Sequence, residues 1–279
     1  MKIKLFPTSS VSKINAYVST FVRWLKNIAK LGSMLMIGVS MSANAASFGL
    51  GVDTWKEEVL LHDGSKLIVT RSQTYGGRHE IGQPPPIKEH TISFTLPNSN
   101  KTITWVSEYS EDIGRANFNL LAVHVLNGTP YIVASPNLCL SYNKWGRPNP
   151  PYVFFKYDGK EWQRIPLDQF PAEFKTINVA IYLGANDVEA MVKLGVVPWE
   201  YIKERNSRLT QPEYRAILRE PLANAGGRCG EMVYDGKGGW IGTGWFRDQP
   251  TYEACLNYCQ VNKIEAQYCP CVSLFKGKE

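Results

Sequence analysis

Phe118-Asn119-Leu120-Leu121-Ala122-Val123-His124-Val125-Leu126 and Thr129-Pro130-Tyr131-Ile132-Val133-Ala134 flank the dipeptide Asn127-Gly128. Two apolar runs rich in β-branched and aromatic residues, joined by a pair that tolerates positive φ, read as an antiparallel hairpin. Tyr152 to Tyr157 and Glu161 to Ile165 flank Asp158-Gly159 in the same manner. Upstream, Trp55 to Leu61 and Lys66 to Thr74 enclose His62-Asp63-Gly64-Ser65, while Thr91 to Leu96 and Thr102 to Ser107 enclose Pro97-Asn98-Ser99-Asn100. From Trp55 to about Tyr182 the chain therefore reads as successive short strands with little helical periodicity. The fold class is mainly β, an antiparallel meander closed as a sandwich or partial barrel. Side chains at equivalent positions of the four turns do not match, which argues against a repeat array, and the strands make up only about one and a half blades of roughly 40 residues each, which leaves a propeller as a distant alternative.

The pattern changes after Ile181. Asn186 or Asp187 suits the N-cap of a short helix running through Leu194 and stopped at Gly195, with further helices expected at Pro198 to Arg205 and Pro212 to Arg219. Ala223 to Gly227 reads as a flexible join. A glycine-rich hairpin, Met232 to Phe246, and a helix from about Thr251 to Val261 follow. The expected organisation is a leader at 1–45, a β-rich domain at 46–185, short helices and a linker at 186–226, and a small α+β, disulfide-rich C-terminal module at 227–279.

The leader reads as a signal peptide. Lys13, Arg23, Lys26 and Lys30 form a basic start, Leu31 to Met41 is a short apolar run, and Ala43-Asn44-Ala45 supplies the small residues that a signal peptidase needs, with cleavage expected after Ala45. The apolar run is shorter than the roughly 20 residues that a membrane span requires, so membrane attachment is expected only if the leader is retained. The formal charge of +6 belongs to this segment, which carries Lys2, Lys4, Lys13, Arg23, Lys26 and Lys30 and no acidic residue. Without it the chain has 25 basic and 25 acidic residues. A neutral chain lacks the broad positive field of a nucleic-acid binder.

All six cysteines lie beyond the leader, five of them at Cys229, Cys255, Cys259, Cys269 and Cys271. In an oxidising compartment an even count favours disulfides. Cys255 and Cys259 fall at i and i+4 of the expected helix, so pairing Cys255 with Cys271 and Cys259 with Cys269 would pin an extended Cys269-Pro270-Cys271 tail against it. Cys139 would then bridge to Cys229. Fifteen pairings are open to six cysteines, and this nested one is the expectation. A four-cysteine zinc site is the rival, opposed by the cramped C-x-C spacing and by export.

Catalytic signatures are absent: there is no G-x-S-x-G elbow and no histidine pair at metal-ligand spacing, so neither metal nor cofactor is expected. The acidic residues Asp53, Glu57, Glu58, Glu108, Glu111 and Asp112 read as a solvated surface. Two loops stand out. Tyr75 to Gln83 contains His79-Glu80, the alternative catalytic pair if the chain is a small hydrolase of envelope polymers. Ser141 to Tyr152 interleaves aromatic rings with amide and cationic groups, making Tyr142, Asn143, Trp145 and Arg147 candidates for contacting a carbohydrate or peptide.

Trp55-Lys56-Glu57-Glu58-Val59-Leu60-Leu61-His62-Asp63-Gly64, Gly76-Gly77-Arg78-His79-Glu80-Ile81-Gly82 and the run Ser141 to Pro151 resemble a group of uncharacterised exported bacterial proteins. The likeness spans roughly Trp55 to Glu220 and implies bacterial export and a shared fold, without assigning any site. The cysteine-rich tail falls outside it. The expectation is a non-enzymatic protein of the bacterial envelope, periplasmic or secreted, that binds an envelope component or a protein partner. A membrane-attached assembly factor is a further alternative.

Overall fold

Alternation decides the first sheet. In the computed structural model, which describes residues 51–96, 99–227 and 229–275, the inward positions of β1 (Val52–Leu60) are Trp55, Glu57 and Val59, and those of β2 (Lys66–Tyr75) are Leu67, Val69, Arg71 and Gln73. The expected leader, and with it the cleavage expected after Ala45, lies outside the described residues. β3 (Ile87–Thr95) turns His90, Ile92 and Phe94 inward, and β4 (Thr102–Val106) turns Ile103 and Trp105 inward. These four strands form an antiparallel meander, and the two-residue β11 (Val196–Val197) joins β1 in parallel to give the order β11-β1-β2-β3-β4. A small ribbon, β5 (Tyr109–Ser110) with β6 (Arg115–Ala116), leads to the second sheet.

That sheet has the order β10-β9-β8-β7, built from β7 (Phe118–Leu126), β8 (Thr129–Pro136), β9 (Val153–Tyr157) and β10 (Trp162–Ile165). Asn127 and Gly128 adopt φ of 50° and 75°, the conformation that a two-residue hairpin requires. The Asp158-Gly159 turn is longer than its dipeptide suggests. Tyr157 pairs with Trp162, leaving a four-residue loop in which the Asp158 carboxylate accepts from the amides of Lys160 and Glu161, both at 2.8 Å.

The sheets pack face to face around one apolar core in which Val69, Ile92, Phe94 and Trp105 meet Phe118, Ile132 and Phe155. Trp105 and Phe118 both stand edge-on to Phe155, at 5.7 and 5.4 Å. β7 and β8 are buried on both faces, because Phe170 and Phe174 close over Tyr131 and His124 from the other side. One margin of the sandwich is bridged by the Trp162 indole N–H to the Thr104 carbonyl at 2.7 Å. At the other, the Asn178 side chain donates to the carbonyls of Leu60 and Val123 and accepts from the Val123 amide, joining β1 to β7. The architecture is thus mainly β with a helical, disulfide-bonded C-terminal region.

The helices depart from expectation in detail. α1 (Leu138–Lys144) occupies a stretch that reads as loop. α2 (Ala185–Lys193) is capped from Gly184, whose amide donates to Asp187 at 2.8 Å, rather than from Asn186 or Asp187. α3 (Trp199–Ser207) follows. Pro212 to Arg219 makes only a single 3₁₀ turn, Pro212–Tyr214, since the Ile217 amide is drawn to the Lys175 carbonyl and its side chain is buried. β12 (Met232–Tyr234) and β13 (Trp240–Gly242) form the glycine-rich hairpin, which ends at α4 (Gly244–Arg247) instead of continuing to Phe246. α5 (Tyr252–Val261) is capped by Thr251. The tail after Cys269 is not extended but folds as α6 (Cys271–Phe275). Among the described residues no helix is long and apolar enough to cross a membrane.

Candidate functional site

One end of the sandwich interior is polar. The alternation that directs Leu67 and Val69 inward carries Arg71 and Gln73 inward too, and Glu57 is turned in between Trp55 and Val59. Arg71 Nη1 donates to Glu57 Oε1 at 3.0 Å and to the Ala180 carbonyl at 2.7 Å. Glu57 also accepts from the Trp55 indole at 2.7 Å and from the Ala180 amide at 3.1 Å. Charge pairing and four hydrogen bonds make this buried pair tolerable. Beside it, the Tyr75 hydroxyl donates to Asp53 at 2.5 Å and accepts from Gln73 at 2.6 Å. Burial, reinforced by the Asp53 carboxylate, pushes the Tyr75 hydroxyl up to about 12.

A cleft of about 750 Å³ opens at this polar end. Arg71 and His90 line it from the first sheet, Asn119 and Ser135 from neighbouring strands of the second, and Arg115 from the ribbon between them. Tyr182, Glu213 and Tyr214 form part of the remaining wall, the two tyrosine rings edge to face at 4.9 Å. Arg71, His90 and Ser135 are only 2%, 7% and 4% exposed, yet Arg71 Nε, both ring nitrogens of His90 and Ser135 Oγ find no hydrogen-bond partner among the described residues. Burial, with the Arg71 charge adding to it, holds the His90 imidazole down to about 3. The ring is therefore neutral, with one nitrogen that donates and one that accepts. Gly226 and Cys229 complete part of the wall, and a side chain at Gly226 would collide with the Tyr142 ring.

Of the ligand-binding and catalytic candidates read from sequence, Tyr142 lines the cleft and the others are placed elsewhere. Asn143 donates to the Cys139 and Gly230 carbonyls and accepts from the Met232 amide, all at 2.9 Å. Arg147 donates to the carbonyls of Gly230 and Cys229 and lies 4.9 Å from the Tyr142 ring centre. Trp145 packs on Phe118 at 4.5 Å and donates to Asn117. Asn143 and Arg147 thus dock the C-terminal region on the β body, and Trp145 covers its core. His79 and Glu80 are exposed and outside the cleft; the His79 Nδ1 lies 2.9 Å from the Gly77 carbonyl, and Glu80 accepts from Gln83. Of the acidic residues read as solvated, Glu57 is fully buried and Asp112 pairs with Lys144 at 2.8 Å.

The cysteines pair as Cys139–Cys229, Cys255–Cys271 and Cys259–Cys269, with Cα separations of 5.0, 5.8 and 6.0 Å. The sulfurs of Cys259, Cys269 and Cys271 lie within 4.8 Å of one another, but every cysteine is in a disulfide, so none offers the thiolate that zinc requires. Of the four polar residues that matter most in the cleft, Arg71, Arg115 and Ser135 were not singled out in the sequence, and His90 was read with the other histidines as having no metal-ligand spacing. Only Arg71 carried a signal, as a charge at an inward position of an alternating strand. Compared with known proteins, the chain matches no family model, no curated protein and no solved structure.

Proposed function

We propose that this chain is an exported, non-enzymatic binding protein, periplasmic or secreted, that holds a ligand from the bacterial envelope in the cleft between its two sheets. The observation that carries the reading is a set of buried polar groups, on residues that line the cleft, without partners among the described residues: Arg71 Nε, both nitrogens of His90 and Ser135 Oγ. Each such group costs about 1–3 kcal/mol when buried unsatisfied, a cost that a complementary ligand removes. A volume of about 750 Å³ suits a small organic molecule. Binding is favoured over turnover because an imidazole held down to about 3 is a poor general base near neutral pH. Three disulfides support export, as does the leader with its basic, apolar and small-residue segments.

The test is thermal stabilisation of the exported protein by an envelope extract, compared with a Ser135→Phe variant that fills the cleft. Stabilisation of the parent alone is expected. Equal shifts in both would move binding away from the cleft. Intact mass provides the second arm: a chain starting at Ala46 that takes up alkylating reagent only after reduction is expected, whereas free thiols or a retained leader would overturn the export reading.

A further inference from the structure

The arrangement of charges around the cleft points to the ligand's chemistry, an inference that rests on the cleft being a binding site. Arg71 is already half engaged: its Nη1 holds Glu57 and the Ala180 carbonyl, while Nε stays unpartnered. Glu57 balances its charge. Arg115, by contrast, forms no ion pair and no side-chain hydrogen bond among the described residues, so the cleft has an uncompensated cation on the ribbon that joins the two sheets. Ser135 and neutral His90 add a hydroxyl and a ring N–H as donors. The acidic residue among the lining groups is Glu213, on the same stretch of wall as Tyr214, which faces Tyr182.

We propose that the cleft binds an organic carboxylate, its acid group placed between Arg115 and the buried donors of Arg71, His90 and Ser135, and its apolar body against Tyr182, Tyr214 and Leu183. A charged acceptor there meets the Arg115 guanidinium, and a charge-assisted pair of that kind is among the strongest of hydrogen bonds. Glu213 repels an acid from the tyrosine side of the cleft, which sets the direction of entry. An inorganic anion would leave most of the volume and all of the aromatic wall uncovered. Two sources present the same chemistry: a free small acid, and the C-terminal carboxylate of a peptide.

Isothermal titration of the exported, disulfide-bonded protein separates these. The probes are phenylacetate against phenylacetamide, and Ala-Ala-Phe with a free against an amidated C-terminus, with inorganic phosphate as a third ligand. At least tenfold tighter binding of an acid than of its amide is expected, with the ratio collapsing towards one in Arg115→Gln. The amide's own affinity reports whether that variant has folded. Preference for phenylacetate identifies a small acid as the source, and preference for the tripeptide identifies a peptide terminus; both support the proposal. Acid and amide binding alike would overturn the carboxylate assignment and leave the cleft as a binding site. Phosphate matching the better acid would remove the need for an apolar body. If no probe binds and none shifts the melting temperature, the binding reading itself falls along with the proposal.

Discussion

Arg71 and Glu57 depend on one another more than either depends on solvent. Arg71→Met leaves the Glu57 carboxylate buried without its cation, and a loss of about 3–5 kcal/mol in denaturant unfolding is expected, largely restored when Glu57→Leu is added. Restoration failing in the double variant would mean that Arg71 stabilises by packing on Trp55 rather than by pairing. The buried histidines set the acid limit. Burial is the main cause holding His90 to about 3 and His124 to about 4, against an ordinary 6.5. Below that value the unfolded chain takes up protons that the folded chain refuses, so stability is full above pH 6.5 and falls as the pH drops towards 4. Each ring contributes a slope approaching about 1.4 kcal/mol per pH unit. Urea midpoints between pH 7 and pH 4 should show a shallower slope for His124→Phe, whose ring keeps the stack on Phe174; an unchanged slope would contradict a buried, neutral His124. At this scale sequence reasoning went to stretches that read as loops, where His79 and Trp145 looked chemically rich, although Trp145 ends α1 and packs on Phe118. The cleft residues come from strands and turns far apart in the chain, and only folding shows that Arg71 and Ala180 touch.

Elements whose pattern is local were legible. The strands flanking Asn127-Gly128, and the span of the α5 helix, needed no long-range information: the hairpin follows from two positive φ angles, and the structure adds the Thr251 cap from one side chain. Thr251→Ala is expected to cost about 1 kcal/mol, read from thermal unfolding of the cysteine-rich region, because it removes the hydroxyl that accepts from the Ala254 amide. No change would indicate that the neighbouring disulfides alone maintain the helix. α1 was illegible for the opposite reason. Its side chains are fixed from outside, Ser141 by the Asn117 carbonyl and Asn143 by Gly230 and Met232, so a helix stands where composition reads as loop. The β11 strand pairs with β1 through two residues, too few to leave a periodic trace.

At the scale of the whole molecule, the described residues form one compact unit, and the cysteine-rich region is held to the β body both by Arg147 and Asn143 and by the Cys139–Cys229 bond. That bond closes a span of 90 residues, against 16 and 10 for the other two. Loop-closure entropy makes it the strongest staple, and replacing both cysteines by serine is expected to cost about 4–5 kcal/mol, compared with about 3 for the Cys259–Cys269 pair, measured by guanidinium unfolding. Equal losses would mean that native contacts, rather than the unfolded chain, set the effect. Cys229 has a second position to fill, since it belongs to the wall of the cleft. Before that bond forms, the wall is held by the hydrogen bonds of Asn143 and Arg147 alone. Under the proposed reading, oxidation is then a step in maturing the cleft as well as in stapling the fold, and full capture belongs to the disulfide-bonded protein.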